Sequence, residues 1–375
     1  MGLMKVTLVR SRAIDYAVNK VAISLAQNGY DVKLLVWDRG GHITEKSNGY
    51  TTCRFGLKAP YDKFTVLFYL PLWWLYEFLF LMRDESEIIH ACDLDTLLPA
   101  LVVKTVKRNK LFYTIYDFYA NNLPDGQPYL ARALLRKWIA AIEKLGISFT
   151  DVLFLVDESR YEEVKGARIN KLVYIYNSPP DLFAQKRKQE LRVESELTVF
   201  YAGLIHKSRG LEYMIQAIED LDGVKLIIGG TGTDRAFVEK ASHECEKIRY
   251  IGWIPSYEEI IRMTTKADVL FRFIDPKIPK SKYESPNKLF EAMMCGKPII
   301  VSDNSSMACI VRKENCGIVV PYGIVIAIKG AIIKLKNNPD LRKKLGENGR
   351  RAYETEYNWI IMEGRLLDAY KYIGG

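Results

Sequence analysis

The chain has little to offer a structural metal or a disulfide framework. Its six cysteines (Cys53, Cys92, Cys245, Cys295, Cys309, Cys316) are scattered with no CxxC pair, and its histidines (His42, His90, His206, His243) stand apart, so neither a zinc site nor a set of staples is expected. A reducing, cytoplasmic setting is the simpler expectation. Also missing is a GxGxxG turn opening either half with an acidic residue about twenty positions on, which removes the main sign of a nicotinamide dehydrogenase. The start, MGLMKVTLVRSR, runs straight into a short apolar strand without a long apolar h-region, so no signal peptide is expected. Internal repeats and low-complexity tracts are not evident.

What the chain does have is length and positive charge. At 375 residues it exceeds the usual size of one hydrophobic core, which predicts two domains. A formal charge of +9 favours an anionic partner, whether nucleic acid, phosphorylated metabolite or acidic lipid surface. One segment, Phe64 to Met82 (FTVLFYLPLWWLYEFLFLM), is apolar except for Thr65, Glu77 and Pro71. It approaches the length of a membrane span, yet Glu77 near its middle is costly there and Pro71 breaks its first turns. The expectation is a helix from about Leu72 to Met82, partly buried and partly seated at a lipid interface, a depth that suits Trp73, Trp74 and Tyr76. A plain core helix is the alternative.

Apolar strand-like runs alternate with helical patterns from the start. VTLVR (6–10), a helix over Ala17 to Asn28, Gly29 and DVKLLVW (31–37) make a βαβ unit. The alternation continues through EIIHA (87–91), a helix over Thr96 to Lys107, LFYTIYD (111–117), a basic helix over Pro128 to Lys144, DVLFLVD (151–157) and KLVYIYN (171–177). This half reads as a parallel, doubly wound sheet. Asn177 to Asp181 and the charged AQKRKQELRVESE (184–196) read as a linker. Beyond it come LTVFYAG (197–203), a helix over Leu211 to Asp220, VKLIIGG (224–230), a helix over Asp234 to Glu246, IRYIGW (248–253) and a helix over Tyr257 to Lys266. ADVLFRF (267–273), a helix over Lys288 to Met294 and KPIIVSD (297–303) complete the alternation. The predicted architecture is α/β: two Rossmann-like domains, residues 1–180 and 181–355, then a C-terminal helix over 356–375 that is apolar on one face.

Doubly wound sheets bind ligands at the carboxyl ends of their strands. After VFYAG come His206, Lys207, Ser208, Arg209 and Gly210, two cations at a helix start, where charge and helix dipole together suit a diphosphate. After Gly229 and Gly230, the turn Thr231-Gly232-Thr233-Asp234 opens a helix; its backbone N–H groups approach an anion, or Asp234 simply caps the helix. The stretch YESPNKLFEAMMCGKPII (283–300) is the richest. Pro286 fixes its loop, Asn287 and Lys288 open a helix, and Glu291 lies one turn along on the face of Lys288. A carboxylate there accepts both hydroxyls of a ribose while the helix start and Lys288 meet its phosphates. A surface salt bridge is the plainer reading, but Leu289, Phe290, Ala292 and Met293 look buried, a poor frame for an exposed pair. In the first half, Asp93-Leu94-Asp95 is a DxD that suits a metal-bound diphosphate or, with Asp95 as N-cap, a helix start. Asp117, at a strand end, either caps a loop or serves an acceptor hydroxyl.

As a set, PNKLFEAMMCGKPII, YAGLIHKSRGLEYMIQAI and YIGWIPSYEEIIRMTTKADVLF resemble the donor half of the retaining glycosyltransferase family 4 (glycosyl transferases group 1). HACDLDTLLPA, YTIYDFYANNLP and AQNGYDVKLLVWDR are similar to its acceptor-side loops and opening βαβ unit. The resemblance implies the GT-B fold, two Rossmann-like domains facing a central cleft, with 1–180 binding the acceptor, 181–355 the nucleotide sugar, and the final helix crossing back onto the first domain. It implies transfer of a sugar from a nucleotide diphosphate donor with retained anomeric configuration, without cofactor or essential metal. Glu291 would hold the donor ribose and Lys207, Arg209 and Lys288 its diphosphate. Gly229, Gly230 and Gly232 would lie alongside, with Asn287 and Leu289 at the helix entry and Glu284 and His206 at the sugar. The family commonly carries two glutamates with seven residues between them; here Tyr283 takes the first place and Glu284 sits one step off. On the acceptor side, Tyr116-Asp117 stands for the usual His-acid pair, and Cys92 stands where a second His often follows the one matching His90. Asp117 is the expected group for orienting the acceptor hydroxyl or taking its proton. The acceptor is expected to be lipid-linked or a glycan, met at the inner face of the plasma membrane, and Arg132, Arg136, Lys137 and Lys144 among apolar residues of the 128–144 helix support peripheral contact there. No nucleic acid partner is expected. A nucleotide-sugar epimerase on the same plan and a donor-binding partner without catalysis are the alternatives.

Overall fold

The computed structural model describes residues 3–13, 15–41, 49–60, 64–121, 123, 129–182, 196–278, 283 and 287–374. They form two compact units, one from residues 1–176 and 362–375, the other from 177–361.

In the first unit, seven strands, β1 (Lys5–Arg10), β2 (Asp31–Trp37), β3 (Thr51–Phe55), β4 (Ile88–Cys92), β5 (Lys110–Ile115), β6 (Val152–Leu155) and β7 (Leu172–Tyr174), lie in the order β3-β2-β1-β4-β5-β6-β7. Every pair is parallel. The helices between them are α1 (Tyr16–Gln27), α2 (Leu70–Arg83), α3 (Leu94–Lys107), α4 (Tyr129–Ile147) and the short α5 (Tyr161–Val164). Strands covered on both faces read as unbroken apolar runs, and β4 (IIHAC) is buried along its whole length. The strand order reverses between β1 and β4, whose register sets Arg10 opposite Cys92.

The second unit repeats the plan with β8 (Leu197–Leu204), β9 (Val224–Thr231), β10 (Ile248–Tyr250), β11 (Val269–Arg272), β12 (Ile299–Ser302) and β13 (Gly317–Val320), ordered β10-β9-β8-β11-β12-β13 and again parallel throughout. Its helices are α6 (Leu211–Glu219), α7 (Arg235–Glu244), α8 (Tyr257–Lys266), α9 (Asn287–Met294), α10 (Ser306–Glu314), α11 (Val325–Asn337) and α12 (Pro339–Ala352), and α13 (Trp359–Gly374) carries the chain back to the first unit. The edge strands β3 and β13 and helices α5, α10 and α11 escape the sequence pattern. β3 is partly exposed, and α11 (VIAIKGAIIKLKN) is rich in β-branched residues with a central glycine, which blurs its helical signal.

The aromatic segment differs from its expectation. α2 starts at Leu70, with Pro71 in the first turn, where its missing N–H is not needed. Trp73, Glu77 and Leu81, one per turn, face the core. The Trp73 ring stacks on Trp37 with centroids 5.8 Å apart, and the indole N–H groups of Trp73 and Trp74 both donate to the Asp95 carbonyl, at 3.2 and 3.0 Å. These tryptophans are therefore core and anchor residues, and the outward face of α2 is Leu72, Leu75 and Leu79. Glu77 is fully buried, its carboxyl pushed well above the usual range by burial and then by Asp95. Among the described residues no helix is long and apolar enough to cross a membrane.

α13 closes the first unit around a histidine. His90 Nδ1 lies 2.7 Å from the Tyr370 hydroxyl and Nε2 lies 2.6 Å from Thr114 Oγ1, while the Tyr370 ring meets Phe112 edge-on at 4.6 Å. Burial drives the His90 imidazole down to about 3, so it stays neutral in the folded protein. In the unfolded chain it titrates near about 6.5, so between these values the unfolded state binds the extra proton. The His90 contribution is complete above about pH 6.5 and is lost toward acid at about 1.4 kcal/mol per pH unit. From about pH 7 to about pH 5 the thermal midpoint of the wild type should fall more steeply than that of His90→Gln. Parallel curves would show that His90 is not held neutral.

Candidate functional site

In the second sheet the strand order reverses between β8 and β11. β8 delivers His206, then a 3-10 turn of Lys207, Ser208 and Arg209, and Gly210 opens α6 with a φ of +58°. A Cβ at Gly210 would press on Phe273 Cβ at 3.1 Å and on Tyr322 at 3.2 Å, so only glycine meets both the left-handed backbone and the space. His206 works locally: its Nδ1 accepts the Ser208 N–H at 3.2 Å and lies 2.7 Å from Ser208 Oγ. Asp234 does not cap α7 with its side chain. Its carboxylate instead accepts the Lys207 N–H at 2.6 Å, and its own N–H donates to the Ile205 carbonyl at 3.3 Å. After β11 the Asp275 N–H donates to the Ser208 carbonyl at 3.2 Å. The loops following β8, β9 and β11 are thereby tied into one rim, with Lys207 exposed on it and Arg209 half-buried.

The glycines of this rim answer first to their own sheet. A Cβ at Gly229 would strike the Ile254 side chain, one at Gly230 the Gly203 carbonyl, and one at Gly232 the Ile205 carbonyl. Close approach of the β8 and β9 ends excludes side chains there, and Gly230 also has a φ of +131°.

α9 connects β11 to the neighbouring parallel strand β12 and so runs back against them, which sets its first turn at the same carboxyl edge. Asn287 is exposed at that start, whereas Leu289 is 1% exposed and offers a ligand only its backbone. Lys288 Nζ donates to Glu291 Oε2 at 2.7 Å, and Glu291 is 2% exposed. The pair is buried, and the surface-bridge reading falls. The Glu291 charge reaches its surroundings: the Cys295 thiol is pushed up to about 12 by burial and then by Glu291, and the Tyr257 hydroxyl is raised by the same two causes. Tyr283 is half-buried. Glu284 and Pro286, like His42 and linker residues 184–195, lie outside the described residues.

The reversal point of the first sheet holds a second polar cluster. Asp117 follows β5, half-exposed, with Arg12 Nη2 3.9 Å from its carboxylate. The N–H groups of Tyr116 and Asp117 both donate to Asp93 Oδ1, at 2.7 and 3.0 Å, and Arg10 donates to Asp93 Oδ2. Arg10 also donates to Asp15 Oδ2 at 2.9 Å, and Asp15 caps α1 by accepting the Ala17 N–H at 3.0 Å. Burial works against the Arg10 charge, yet Asp93 and Asp15 outweigh it and hold the guanidinium protonated. Burial pushes the Asp93 carboxyl up to about 6 despite Arg10. The DxD readings are corrected here. α3 starts at Leu94, so Asp95 lies inside its first turn and is not the cap, while Asp93 turns its carboxylate toward the end of β5. Among the described residues no group of three or more His, Cys, Asp or Glu is placed to hold a metal ion. The sequence reading passed over Arg10 and Asp15; an Arg closing a strand, with Asp at the next helix start, is the pattern that marks them.

Two doubly wound parallel sheets in one chain define the GT-B fold, and the chain matches the structure of sucrose-phosphate synthase from Thermosynechococcus elongatus with a TM-score of 0.78 over 99% of each chain, at 17% identity. Residues 183–352 match the model of the family glycosyl transferases group 1. Alpha-D-kanosaminyltransferase of Streptomyces kanamyceticus is 25% identical over 241 residues, 60% of this chain and 60% of its own length. Phosphatidyl-myo-inositol mannosyltransferase of Mycobacterium leprae is 27% identical over 179 residues, 46% of each. The matched stretch thus spans 46% and 60% of these two relatives.

The buried pair on α9 has a stability signature. Lys288→Met leaves the Glu291 carboxylate buried without its cation and should destabilise the second unit in urea unfolding by about 3 kcal/mol. Glu291→Gln leaves a lysine whose side chain retains 16% exposure and should cost distinctly less. Equal costs would mean that the pair is not desolvated.

Proposed function

We propose that the chain is a retaining glycosyltransferase of family 4 that moves a sugar from a nucleotide diphosphate donor to a lipid-linked or glycan acceptor at the cytoplasmic membrane surface. The observation that carries this reading is the buried Lys288–Glu291 pair at the N-terminal end of α9, at the carboxyl edge of a sheet that lies within the stretch matching the group 1 family. A buried carboxylate at that edge suits the two hydroxyls of a ribose. Lys207, Arg209, Lys288 and the N-terminal turn of α9 suit the diphosphate, whose charge grows as it leaves. In the transfer the bond from the sugar's anomeric carbon to the diphosphate breaks and the acceptor oxygen bonds to that carbon with configuration retained. The acceptor proton goes to Asp117 and the nucleotide diphosphate departs. In this reading the three cations and the helix start take the place of a metal ion at the leaving group.

The membrane part rests on α4. Leu130, Leu134, Trp138, Ile142 and Leu145 are exposed along it, with Lys137 and Lys144 among them. An apolar stripe flanked by cations suits an anionic lipid surface.

Three measurements test the reading. Incubation with radiolabelled nucleotide sugars should yield slow hydrolysis of one donor, undiminished by excess EDTA; interconversion of the sugar would indicate an epimerase, and binding without turnover a donor-binding partner. Glu291→Ala should weaken calorimetric binding of the matching nucleotide diphosphate by about tenfold or more, from loss of charged hydrogen bonds to the ribose. Unchanged affinity removes the ribose assignment. Wild type should sediment with vesicles containing phosphatidylglycerol and much less with pure phosphatidylcholine, and a Leu134→Glu, Trp138→Glu double variant should lose that binding. Equal sedimentation of the two proteins removes α4 as the docking face.

A further inference from the structure

Asp93 occupies a backbone region that belongs to glycine, with φ +68° and ψ 166°. It is 1% exposed and held from every side. Its N–H donates to the Thr114 carbonyl at 2.9 Å, and its carbonyl accepts the Thr96 N–H and the Thr96 hydroxyl, both at 3.1 Å. The side chain does not cap α3. For starting that helix a glycine would serve with less strain; what glycine lacks is the carboxylate. Both carboxylate oxygens are committed, Oδ1 to the Tyr116 and Asp117 N–H groups and Oδ2 to Arg10. Arg10 is in turn aimed by Asp15 and by the Cys92 carbonyl, and its guanidinium lies 5.1 Å from the Tyr116 ring centroid. The ends of β1, β4 and β5 are thus fastened together through the Asp93 carboxylate, and Arg10 extends the link to the start of α1 through Asp15.

We infer that Asp93 is a positioning residue: its carboxylate clamps the backbone turn that carries Asp117, and Arg10 is the counter-charge that aims the clamp. Strain tolerated at one position is matched by order at another. The Asp117 carboxylate, half-exposed on its turn, thereby keeps a fixed place. The consequence for transfer rests on the assignment of Asp117 under Proposed function; the clamp itself does not.

Asp93→Gly tests both parts, because glycine adopts this backbone freely and only the carboxylate is lost. Amide hydrogen exchange read by mass spectrometry on peptides covering residues 110–121 should accelerate about tenfold or more at Tyr116 and Asp117, with β4 and β5 unchanged. Unchanged exchange there, or acceleration throughout the unit, overturns the clamp. With the donor found by the nucleotide-sugar panel and membrane lipid extract as acceptor, transfer should fall about as far in Asp93→Gly as in Asp117→Asn, and the double variant should fall no further, since the two act through one group. Affinity for the nucleotide diphosphate should stay within about twofold. Multiplying losses in the double variant, or full transfer by Asp93→Gly, overturns the link to Asp117. A wild type that transfers to no acceptor is the failure of the proposed function, and the exchange experiment still decides the clamp.

Discussion

In a parallel sheet every strand delivers its carboxyl end to the same edge, and every inner strand is covered on both faces. Polar chemistry is thus confined to the rim, where loops of different sequence origin must satisfy one another. In the second unit they do so largely by backbone: the Asp234 carboxylate holds the Lys207 N–H, the Ser208 carbonyl holds the Asp275 N–H, and Ser302 Oγ spans both polar groups of Ile274, at 2.9 and 3.2 Å. In the first unit a charge does the same work, with Arg10 and Asp93 buried together where the strand order reverses. A buried ion pair is a weak source of net stability, because desolvation offsets most of its attraction. Its value lies in direction: a guanidinium and a carboxylate with several committed bonds admit few arrangements.

Buried acids are held in two ways in this chain, beside a cation or as neutral carboxyls. Glu291 keeps a lysine beside it at 2.7 Å. In the first unit, burial pushes the Glu143 carboxyl up to about 8 although the Tyr113 hydroxyl donates to it at 2.7 Å, and burial also raises Glu77 well above the usual carboxyl range. A carboxyl raised by folding is protonated in the folded state, so its contribution is present below its ordinary value near about 4.5 and is lost as pH rises through the folded value. His90 has the opposite slope, and the first unit is therefore bounded from both the acid and the alkaline side.

How much of this was legible follows from which forces are local. The inner strands were readable as apolar runs because burial on both faces leaves no alternation, whereas β3 and β13, at the sheet edges, carry a weaker signal. The spacing of Lys288 and Glu291 was readable because a helix sets residues three apart on one face. The tryptophans of α2 were misplaced for a nonlocal reason: an indole serves a lipid interface or a core equally well, and Trp37 and the Asp95 carbonyl decided between them. The turn at Gly232 read as a place where backbone N–H groups approach an anion; that Gly230 and Gly232 have neighbouring carbonyls in the place of a side chain is a nonlocal constraint the sequence does not display. For Asp93 the residue type was visible and the backbone angle was not. A DxD suggests two equivalent acids, and only the tertiary fold separates one that holds a turn from one that sits inside a helix.

The chain enters the first unit, leaves it after Tyr176, and returns at Met362. Tyr370, on the returning segment, is the residue that closes over His90 and Phe112. On a ribosome the second unit therefore has all of its residues in hand while the first still waits for its last helix. The unit begun first is finished last, and until then the imidazole of His90 and the aromatic wall beside it stand uncovered. Loss of α13 would accordingly injure the unit that the chain enters first, not the one that precedes the helix in sequence.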